Sequence, residues 1–354
     1  MTDNIPVQAI KAPRTPLPTE AASASVTEIF IALSTATRAG GAMASELQYE
    51  HSLIINSMVA QIKLEKDVVS CALRFAKRRW RSEWCDGEAV EHQLHIDLIN
   101  KLTQDGGVPY FLAPGNHDVS SADTHDAERR QPGLKNYYAA NAELLPRDGS
   151  LRRLSDYPVF SFGYGNTFVL AFDSNIAGDE KQFAWVKAQL DGLDKRRYKS
   201  IIVYSHHPAF PLARTVAHTS RNRHKLFVIA ICRSFASIVK IFFNGHEHMF
   251  EHWVERYEDS TGKHRLDHVL SGGGGAPLYA YAGDPDIRPY VKQYEAEKVS
   301  LERIAKPPAE PGGGAYHYVM VQVDGEDIKL EVVGLDWGRD FQPYRSNKAS
   351  LNEK

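Results

Sequence analysis

The sequence contains few cysteines and no long apolar run, and each shortage excludes a class of protein. Three cysteines, unevenly placed along 354 residues, do not form the framework of a disulfide-rich domain. No apolar stretch approaches the roughly 20 residues that a helix needs to cross a bilayer. The first 25 residues carry four prolines and lack the continuous apolar core of a secretory signal. We therefore expect a cytoplasmic protein with no membrane partner, unless a misplaced start codon hides an export signal.

A large net charge is also absent. The chain carries 42 basic and 44 acidic side chains, a formal net charge of −2 at pH 7, which argues against a general nucleic-acid-binding protein. A chain of this length can bury a sizeable core. We predict a disordered tail over residues 1–25, one domain over residues 26–340 and a C-terminal tail over residues 341–354.

Strand-like apolar runs alternate with amphipathic stretches along most of the chain, which predicts an α/β protein. The expected architecture is a four-layer α/β/β/α sandwich, in which two mixed sheets pack face to face with helices outside. Helices are predicted over 46–64, 88–102, 135–144, 181–193 and 222–236. Strands are predicted over 28–33, 67–72, 108–113, 158–162, 167–172, 200–204, 238–243, 250–257, 267–271, 315–323 and 328–333.

Three short motifs directly follow predicted strands. They read Gly-Asn-His-Asp at residues 115–118, Ser-His-His-Pro at residues 205–208 and Gly-His-Glu-His at residues 245–248. Open α/β sheets bind ligands beyond the carboxyl ends of their strands. Amide oxygens and imidazole nitrogens that arrive there from three strands make a plausible transition-metal site.

The spacing of residues within the third motif predicts the directions in which its side chains point. In an extended segment, residues i and i+2 point the same way, so His246 and His248 can reach neighbouring metals while Glu247 points away. His207, in the second motif, is expected to cap its loop or to line the pocket rim as a substrate-binding residue rather than to bind metal. The histidines outside the motifs are expected on the surface or in loops, namely His92, His95, His218, His224, His252, His264 and His268.

The motifs, in this order, resemble the calcineurin-like metallophosphoesterases, the superfamily that includes purple acid phosphatases and cyclic-nucleotide phosphodiesterases. The glycine-rich run at residues 271–277 and the segment 160–166 support the resemblance. It implies hydrolysis of a phosphate mono- or diester of a small molecule or a protein by metal-activated hydroxide. It also implies two divalent transition metals, Mn, Fe or Zn, in the family's site.

The resemblance further implies roles for single residues. Asn116, His206 and His246 would bind the second metal, and His248 the first. His117 would lie beside the phosphate and assist the leaving oxygen, while Asp118 would orient its ring. From the residues themselves, the four glycines at 272–275, Gly273 and Gly274 among them, are expected either to cradle a phosphate through backbone amides or to let the strand approach the site closely without side chains.

Two motifs of the family are missing. The family has Asp-x-His after the first strand and Gly-Asp after the second, where this chain has Ser-Thr-Ala-Thr at residues 34–37 and Leu-Arg at residues 73–74. Thr35 and Arg74 are expected at the vacated positions. A guanidinium cannot replace a bridging carboxylate, because it has no acceptor and stays protonated. We therefore expect one metal rather than two in the chain as written.

Two explanations of this loss stay open. Either the chain is a degenerate member of the family, or part of residues 34–90 is translated out of frame, since residues 71–85 show neither helical nor strand periodicity. An intact reading frame would favour a catalytically inactive module that binds a phosphorylated ligand. The substrate and the oligomeric state are left open, because substrate contacts lie on variable loops such as 120–132 and 211–224.

Overall fold

Two mixed β-sheets and several helices make up the described part of the chain. The computed structural model describes residues 9, 11, 28–37, 55–56, 58–59, 68–76, 89–107, 109–119, 127–208, 239–275, 278, 283–305, 316–335 and 343–350. The strands of these residues are β1 (Glu28–Thr37), β2 (Val68–Ala76), β3 (Tyr110–Ala113), β4 (Phe160–Tyr164), β5 (Thr167–Ala171), β6 (Ser200–Tyr204), β7 (Val239–Asn244), β8 (Phe250–Asp259), β9 (Gly262–Ser271), β10 (Ser300–Ala305), β11 (Tyr316–Asp324), β12 (Asp327–Leu335) and β13 (Pro343–Ser350). The helices are α1 (Ala89–Asp105), α2 (Asn116–Val119), α3 (Ala127–Ala140), α4 (Glu180–Asp191) and α5 (Arg288–Gln293). The predicted mixed α/β class is confirmed.

The order of the strands brings several carboxyl ends to common edges. The smaller sheet has the order β13-β12-β11-β1-β2-β3, and the larger one β10-β8-β9-β7-β6-β5-β4. β1, β2 and β3 are parallel to one another. β5, β6, β7 and β9 are also mutually parallel. The loops that follow these strands are therefore delivered together at one edge of each sheet.

The alternation of side chains along β3 and β5 shows where the core lies. Phe111 of β3 and Val169 of β5 belong to one buried cluster that contains residues of both sheets. Leu112 of β3 packs instead in a cluster with residues of α1 and α3. Phe168 of β5 packs in a cluster with Val186 of α4. Successive residues of a strand face opposite sides of a sheet, so each of these strands is covered on both faces.

The predicted ends of the first two strands are wrong. β1 continues to Thr37 and β2 to Ala76, and their parallel pairing runs on through Thr35↔Arg74. Residues 34–37 and 73–74 therefore lie inside strands and not in loops. β2 also takes up residues 71–76 despite their lack of periodicity, because ladder hydrogen bonds satisfy its backbone whatever the side-chain pattern, with β1 as far as Ala76 and with β3 as far as Leu73.

Other boundaries also differ from the expectations. Eight residues of the predicted C-terminal tail form β13, which pairs with β12 at the edge of the smaller sheet. Ladder hydrogen bonds along β12 explain this addition, although the limits of the domain stay a prediction. The helix predicted over 135–144 begins at Ala127 and ends at Ala140. The helix predicted over 222–236 and the loop 211–224 lie outside the described residues, and within 46–64 only residues 55–56 and 58–59 are described, as helical.

Three histidines expected on the surface are buried, so that expectation is wrong for them. They are His92, His252 and His268. The ring nitrogen Nε2 of His252 lies 2.7 Å from an Asp267 carboxylate oxygen, and that of His268 lies 3.0 Å from Glu255. A carboxylate on the neighbouring strand offsets the cost of burying each imidazole. No helix in the described part of the chain is long and apolar enough to span a membrane.

Candidate metal centre

The second and third motifs meet because their strands are parallel neighbours. Tyr204 of β6 pairs with Phe243 of β7, so the loops that follow both strands start at the same edge. The Gly245 N–H donates to the His206 carbonyl at 3.1 Å, and the Ser205 N–H donates to the Phe243 carbonyl at 3.1 Å. These main-chain hydrogen bonds join the two loops to each other.

One nitrogen or oxygen atom from each motif comes together beyond these strand ends. Nε2 of His206 lies 2.6 Å from Oδ1 of Asn116 and 3.0 Å from Nδ1 of His246. A ring nitrogen carries at most one proton, so His206 Nε2 cannot donate a separate hydrogen bond to each of these two atoms. A cation among the three atoms would instead be attracted to all of them.

The donor set fits a divalent transition metal. Zinc binds imidazole nitrogen at about 2.0–2.1 Å, so two ligands of a tetrahedral ion lie roughly 3.4 Å apart. The observed separations of 2.6 and 3.0 Å are shorter by about 0.8 and 0.4 Å, so the side chains would have to move apart by those distances to admit an ion. Two imidazoles and one amide oxygen are neutral donors, which suit borderline divalent ions.

His207 joins this group, where it was expected to contact substrate at the pocket rim. One ring nitrogen from each of His206, His207 and His246 lies within 4.8 Å of the other two. The ring centroid of His207 lies 4.5 Å from the centroids of both other rings. We define these three residues as the histidine cluster.

His248 is buried but is not part of the histidine cluster among the described residues. The expectation that it points the same way as His246 assumed an extended segment. The segment is turned instead, because the Glu247 N–H donates to the Gly245 carbonyl and the Met249 N–H to the Glu247 carbonyl, both at 2.8 Å. His246 itself has a left-handed backbone, with φ of 67°. The rule of alternate residues therefore does not apply here.

Asp118 closes the loop of the first motif. Its Oδ2 atom accepts a hydrogen bond from the Gly115 N–H at 2.8 Å, and its own N–H donates to the Gly115 carbonyl at 3.2 Å. The carboxylate thus fixes the turn from which Asn116 projects. The side chain of His117 lies outside the described part of the structure, so the orienting role of Asp118 stays a prediction.

The glycine run passes close to the third motif. A Cβ atom on Gly272 would lie 1.8 Å from the Glu247 carbonyl oxygen, and one on Gly273 would lie 2.1 Å from Nδ1 of His317. The Gly272 N–H donates to the Met249 carbonyl at 2.9 Å. The close approach of these neighbouring atoms is enough to explain why residues 272 and 273 are glycines. Phosphate binding by Gly273 and Gly274 stays a prediction.

Thr35 and Arg74 lie level with the loop of the first motif. They pair with each other in the β1–β2 register, and the residue before Arg74, Leu73, pairs with Ala113, the last residue of β3. The backbones of both residues are thus at the edge from which Asn116 projects. Their side chains lie outside the described part of the structure.

Sequence reasoning missed a fourth loop, which follows β5. Ser174 Oγ lies 2.9 Å from Nδ1 of His207, and the Asn175 amide donates to the Pro114 carbonyl at 3.4 Å. Asp173 holds this loop by accepting from the Asn175 N–H at 2.9 Å. The run Asp-Ser-Asn after an apolar strand is the same signal that identified the other three motifs.

Two buried tyrosines hold β3, the strand that precedes Asn116. The Tyr137 hydroxyl donates to the Leu112 carbonyl, and the Tyr204 hydroxyl donates to the Phe111 carbonyl at 3.2 Å. Burial raises the pKa of Tyr137 well above its usual value. The first motif is therefore attached to α3 and to β6 as well as to its own sheet.

Comparisons with known structures show which proteins the chain resembles in fold. The chain resembles a purple acid phosphatase from yellow lupin (Lupinus luteus) seeds in fold, with 15% identity and a TM-score of 0.59 over 92% of this chain and 54% of that one. A putative 5′-nucleotidase from Staphylococcus aureus is matched at 13% identity and a TM-score of 0.42, over 84% of this chain and 51% of that one. The chain thus spans about half the length of both structures. No curated protein matches the sequence.

The family comparison covers the three motifs. The model for calcineurin-like phosphoesterases matches residues 84–250, a range that holds all three motifs and begins after β2. It therefore leaves out the strand ends at which the two aspartate motifs are missing. The resemblance indicated by the motifs is confirmed: residues 84–250 of this chain match the calcineurin-like phosphoesterase family, whose members bind divalent metals.

Proposed function

We propose that the chain is a metal-dependent phosphoesterase that hydrolyses a phosphate mono- or diester. The observation that carries this proposal is that atoms from all three family motifs meet at His206, whose Nε2 lies 2.6 Å from Asn116 Oδ1 and 3.0 Å from His246 Nδ1. We further propose a small-molecule or protein substrate and a cytoplasmic location.

Asn116, His206 and His246 would hold the metal in this proposal. When bound, the ion supplies Lewis-acid chemistry to a phosphoryl oxygen and to water. His117, next to Asn116 in the chain, would give a proton to the leaving oxygen. The Asp118 carboxylate keeps the turn that presents both residues closed. The described contacts of the glycine run keep side chains away from the third motif.

The rate should be low compared with that of a two-metal enzyme. The three proposed ligands are neutral, and the residues paired where the family has its carboxylates, near the ends of β1 and β2, are Thr35 and Arg74. Loss of one metal from a two-metal mechanism should cost several kcal/mol of transition-state stabilisation, on the order of 10³-fold in rate or more.

The test is hydrolysis of p-nitrophenyl phosphate and bis-p-nitrophenyl phosphate by the full chain with added Mn²⁺ or Zn²⁺. We expect slow turnover that a chelator abolishes and that both His246→Ala and His117→Ala reduce at least tenfold. His264→Ala, far along β9 from the motifs, serves as the control and should not reduce it. Turnover that survives chelation or the His246 substitution would refute the proposed centre.

An inactive module that binds a phosphorylated ligand is the second candidate. The pairing of Thr35 with Arg74 at the edge beside Asn116 favours it, because a guanidinium there would attract a phosphate but could not bridge metals. Inorganic phosphate binding by calorimetry separates the two candidates. Phosphate affinity that falls with Arg74→Ala, in a chain without turnover, would support the module.

A further inference from the structure

We infer that His207 is a fourth protein ligand of the proposed metal and that Ser174 positions its ring for that role. This inference rests on the proposed metal centre and adds a ligand that the three family motifs do not assign. It converts a three-ligand site with two imidazoles into one with three imidazoles and one amide oxygen.

The position of His207 supports the inference. Its ring nitrogen lies within 4.8 Å of those of His206 and His246. Two ligands of one tetrahedral ion, with bonds of about 2.1 Å, are separated by roughly 3.4 Å. A shift of the His207 ring by at most about 1.4 Å would therefore close the group to that spacing.

Ser174 can hold His207 in the tautomer that a metal ligand needs. The Ser174 hydroxyl oxygen accepts the His207 main-chain N–H at 3.0 Å, and it lies 2.9 Å from Nδ1 of the same residue. A hydroxyl oxygen has two lone pairs, so it can accept from both groups at once. With Nδ1 protonated towards Ser174, the lone pair of the neutral imidazole is on Nε2. That is the tautomer a metal ligand needs.

The main chain of His207 is held as well as its ring. The Asn244 amide donates to the His207 carbonyl at 2.9 Å. His207 is therefore held at its N–H, its carbonyl and its Nδ1 by residues at the ends of two other strands. A rim residue that meets substrate only transiently would not need this support.

The fourth ligand also bears on which metal binds. Three imidazoles and an amide oxygen without a carboxylate form a neutral donor set that favours Zn²⁺, Co²⁺ or Cu²⁺ over hard ions such as Mg²⁺. The chain lacks the bridging carboxylate of its family, and an extra imidazole raises the affinity for one borderline ion without supplying a second site.

Metal binding to the full metal-free chain tests the inference without reference to activity. Zn²⁺ affinity is measured by competition with a chromophoric chelator, and the coordination is read from the visible absorption of the Co²⁺ form. We expect His207→Ala to weaken Zn²⁺ binding at least tenfold and to change the Co²⁺ spectrum. Ser174→Ala should weaken binding about 10- to 100-fold, as for other groups that orient a ligand, whereas Ser174→Thr retains the hydroxyl and should bind like the parent.

Two reference variants keep the outcomes distinct. His264→Ala, whose ring pairs with Asp259 in the parent, should bind metal like the parent, whereas His246→Ala should lose binding if the proposed centre is right. Parental affinity and spectrum in His207→Ala, with loss in His246→Ala, would overturn the fourth ligand but leave the centre intact. Parental binding in His246→Ala would overturn both. If His207→Ala fails to fold, the comparison of Zn²⁺ affinity between Ser174→Ala and Ser174→Thr replaces it. Equal Zn²⁺ affinities of these two variants would overturn the inference.

Discussion

The side-chain amide of Asn244 donates a hydrogen bond to the main-chain carbonyl of His207 at 2.9 Å. The same amide lies 3.3 Å from the Ser205 carbonyl. The last residue of β7 thus holds the loop that follows β6, and the two loops that carry the histidine cluster depend on one buried side chain.

Asn244→Ala should weaken both the fold and the metal site. Its removal takes a hydrogen-bond donor away from the Ser205 and His207 carbonyls, so we expect the free energy of unfolding to fall by about 1–3 kcal/mol. Zn²⁺ affinity should fall about 10- to 100-fold, because the loops lose their common support. Asn166→Ala is the matched control, since that amide donates to the Gly325 carbonyl at 2.8 Å on the surface. Equal effects of the two substitutions on Zn²⁺ affinity would contradict the prediction.

Gly272→Ala should disrupt the third motif. The added methyl group would lie 1.8 Å from the Glu247 carbonyl oxygen, a distance that forces the backbone of one segment to move. We expect loss of Zn²⁺ binding and a lower melting temperature, measured by calorimetry. Gly107→Asn is the control, because nothing lies within 4 Å of its Cβ position and asparagine tolerates its φ of +71°. A Gly272 variant that binds metal like the parent would show that the loop can yield at this point.

Thr35→Asp combined with Arg74→Asp should restore a second metal. The two positions pair at the edge beside the first motif, and carboxylates there would neutralise the charge of the ions and supply ligands. We expect bound Mn²⁺ or Zn²⁺ to rise from about one ion per chain to about two, with faster hydrolysis of p-nitrophenyl phosphate. The double substitution with asparagine removes the arginine charge but adds no anion. If that control gains as much metal as the aspartate variant, charge removal alone explains the effect.

Tyr137→Phe should reduce stability and its dependence on alkaline pH. The variant loses the hydrogen bond to the buried Leu112 carbonyl, which we expect to lower the free energy of unfolding by about 1–2 kcal/mol. Because burial raises the pKa of Tyr137 well above 10.0, the folded state keeps this proton after the unfolded state has lost it. Its contribution is complete below pH about 10 and is lost as the pH rises further towards the folded pKa.

Denaturant unfolding at pH 8 and pH 10.5 measures this difference. Tyr138→Phe is the control, because its hydroxyl donates to the Asp156 carbonyl at 3.0 Å in an exposed position. Stability should fall less steeply with pH in Tyr137→Phe than in the control variant. Identical slopes would show that the phenol does not retain its proton in the folded state.

The strands that precede the second and third motifs were predictable. β6 has the predicted bounds, and β7 is shifted by one residue, because both are short apolar runs that end at polar residues. The juxtaposition of His206 and His246 followed from strand order at the edge of the larger sheet, whereas their contact with Asn116, which follows β3 of the smaller sheet, also depends on the packing of the two sheets. The first motif follows β3 as expected, although β3 begins two residues later than predicted.

The finer geometry depended on contacts that no local pattern contains. His207 enters the cluster through Ser174, which is 33 residues away in the chain. His252 and His268 are buried because β8 and β9 bring Asp267 and Glu255 next to them. His248 is turned aside by hydrogen bonds between neighbouring main-chain groups, which a sequence of four polar residues does not reveal.

The left-handed backbone of His246 links the metal centre to the stability of the whole domain. A non-glycine residue with a φ of 67° is held against a local preference of about 1–2 kcal/mol. The free energy of folding therefore already includes this cost, and the loop has its binding conformation before an ion binds. A substitution far from the metal centre could let this loop relax to another backbone conformation. Metal binding would then have to supply the free energy that restores the left-handed conformation of His246. Chains weakened at remote positions should then release their ion at concentrations at which the parent retains it, before any loss of folded protein is detectable.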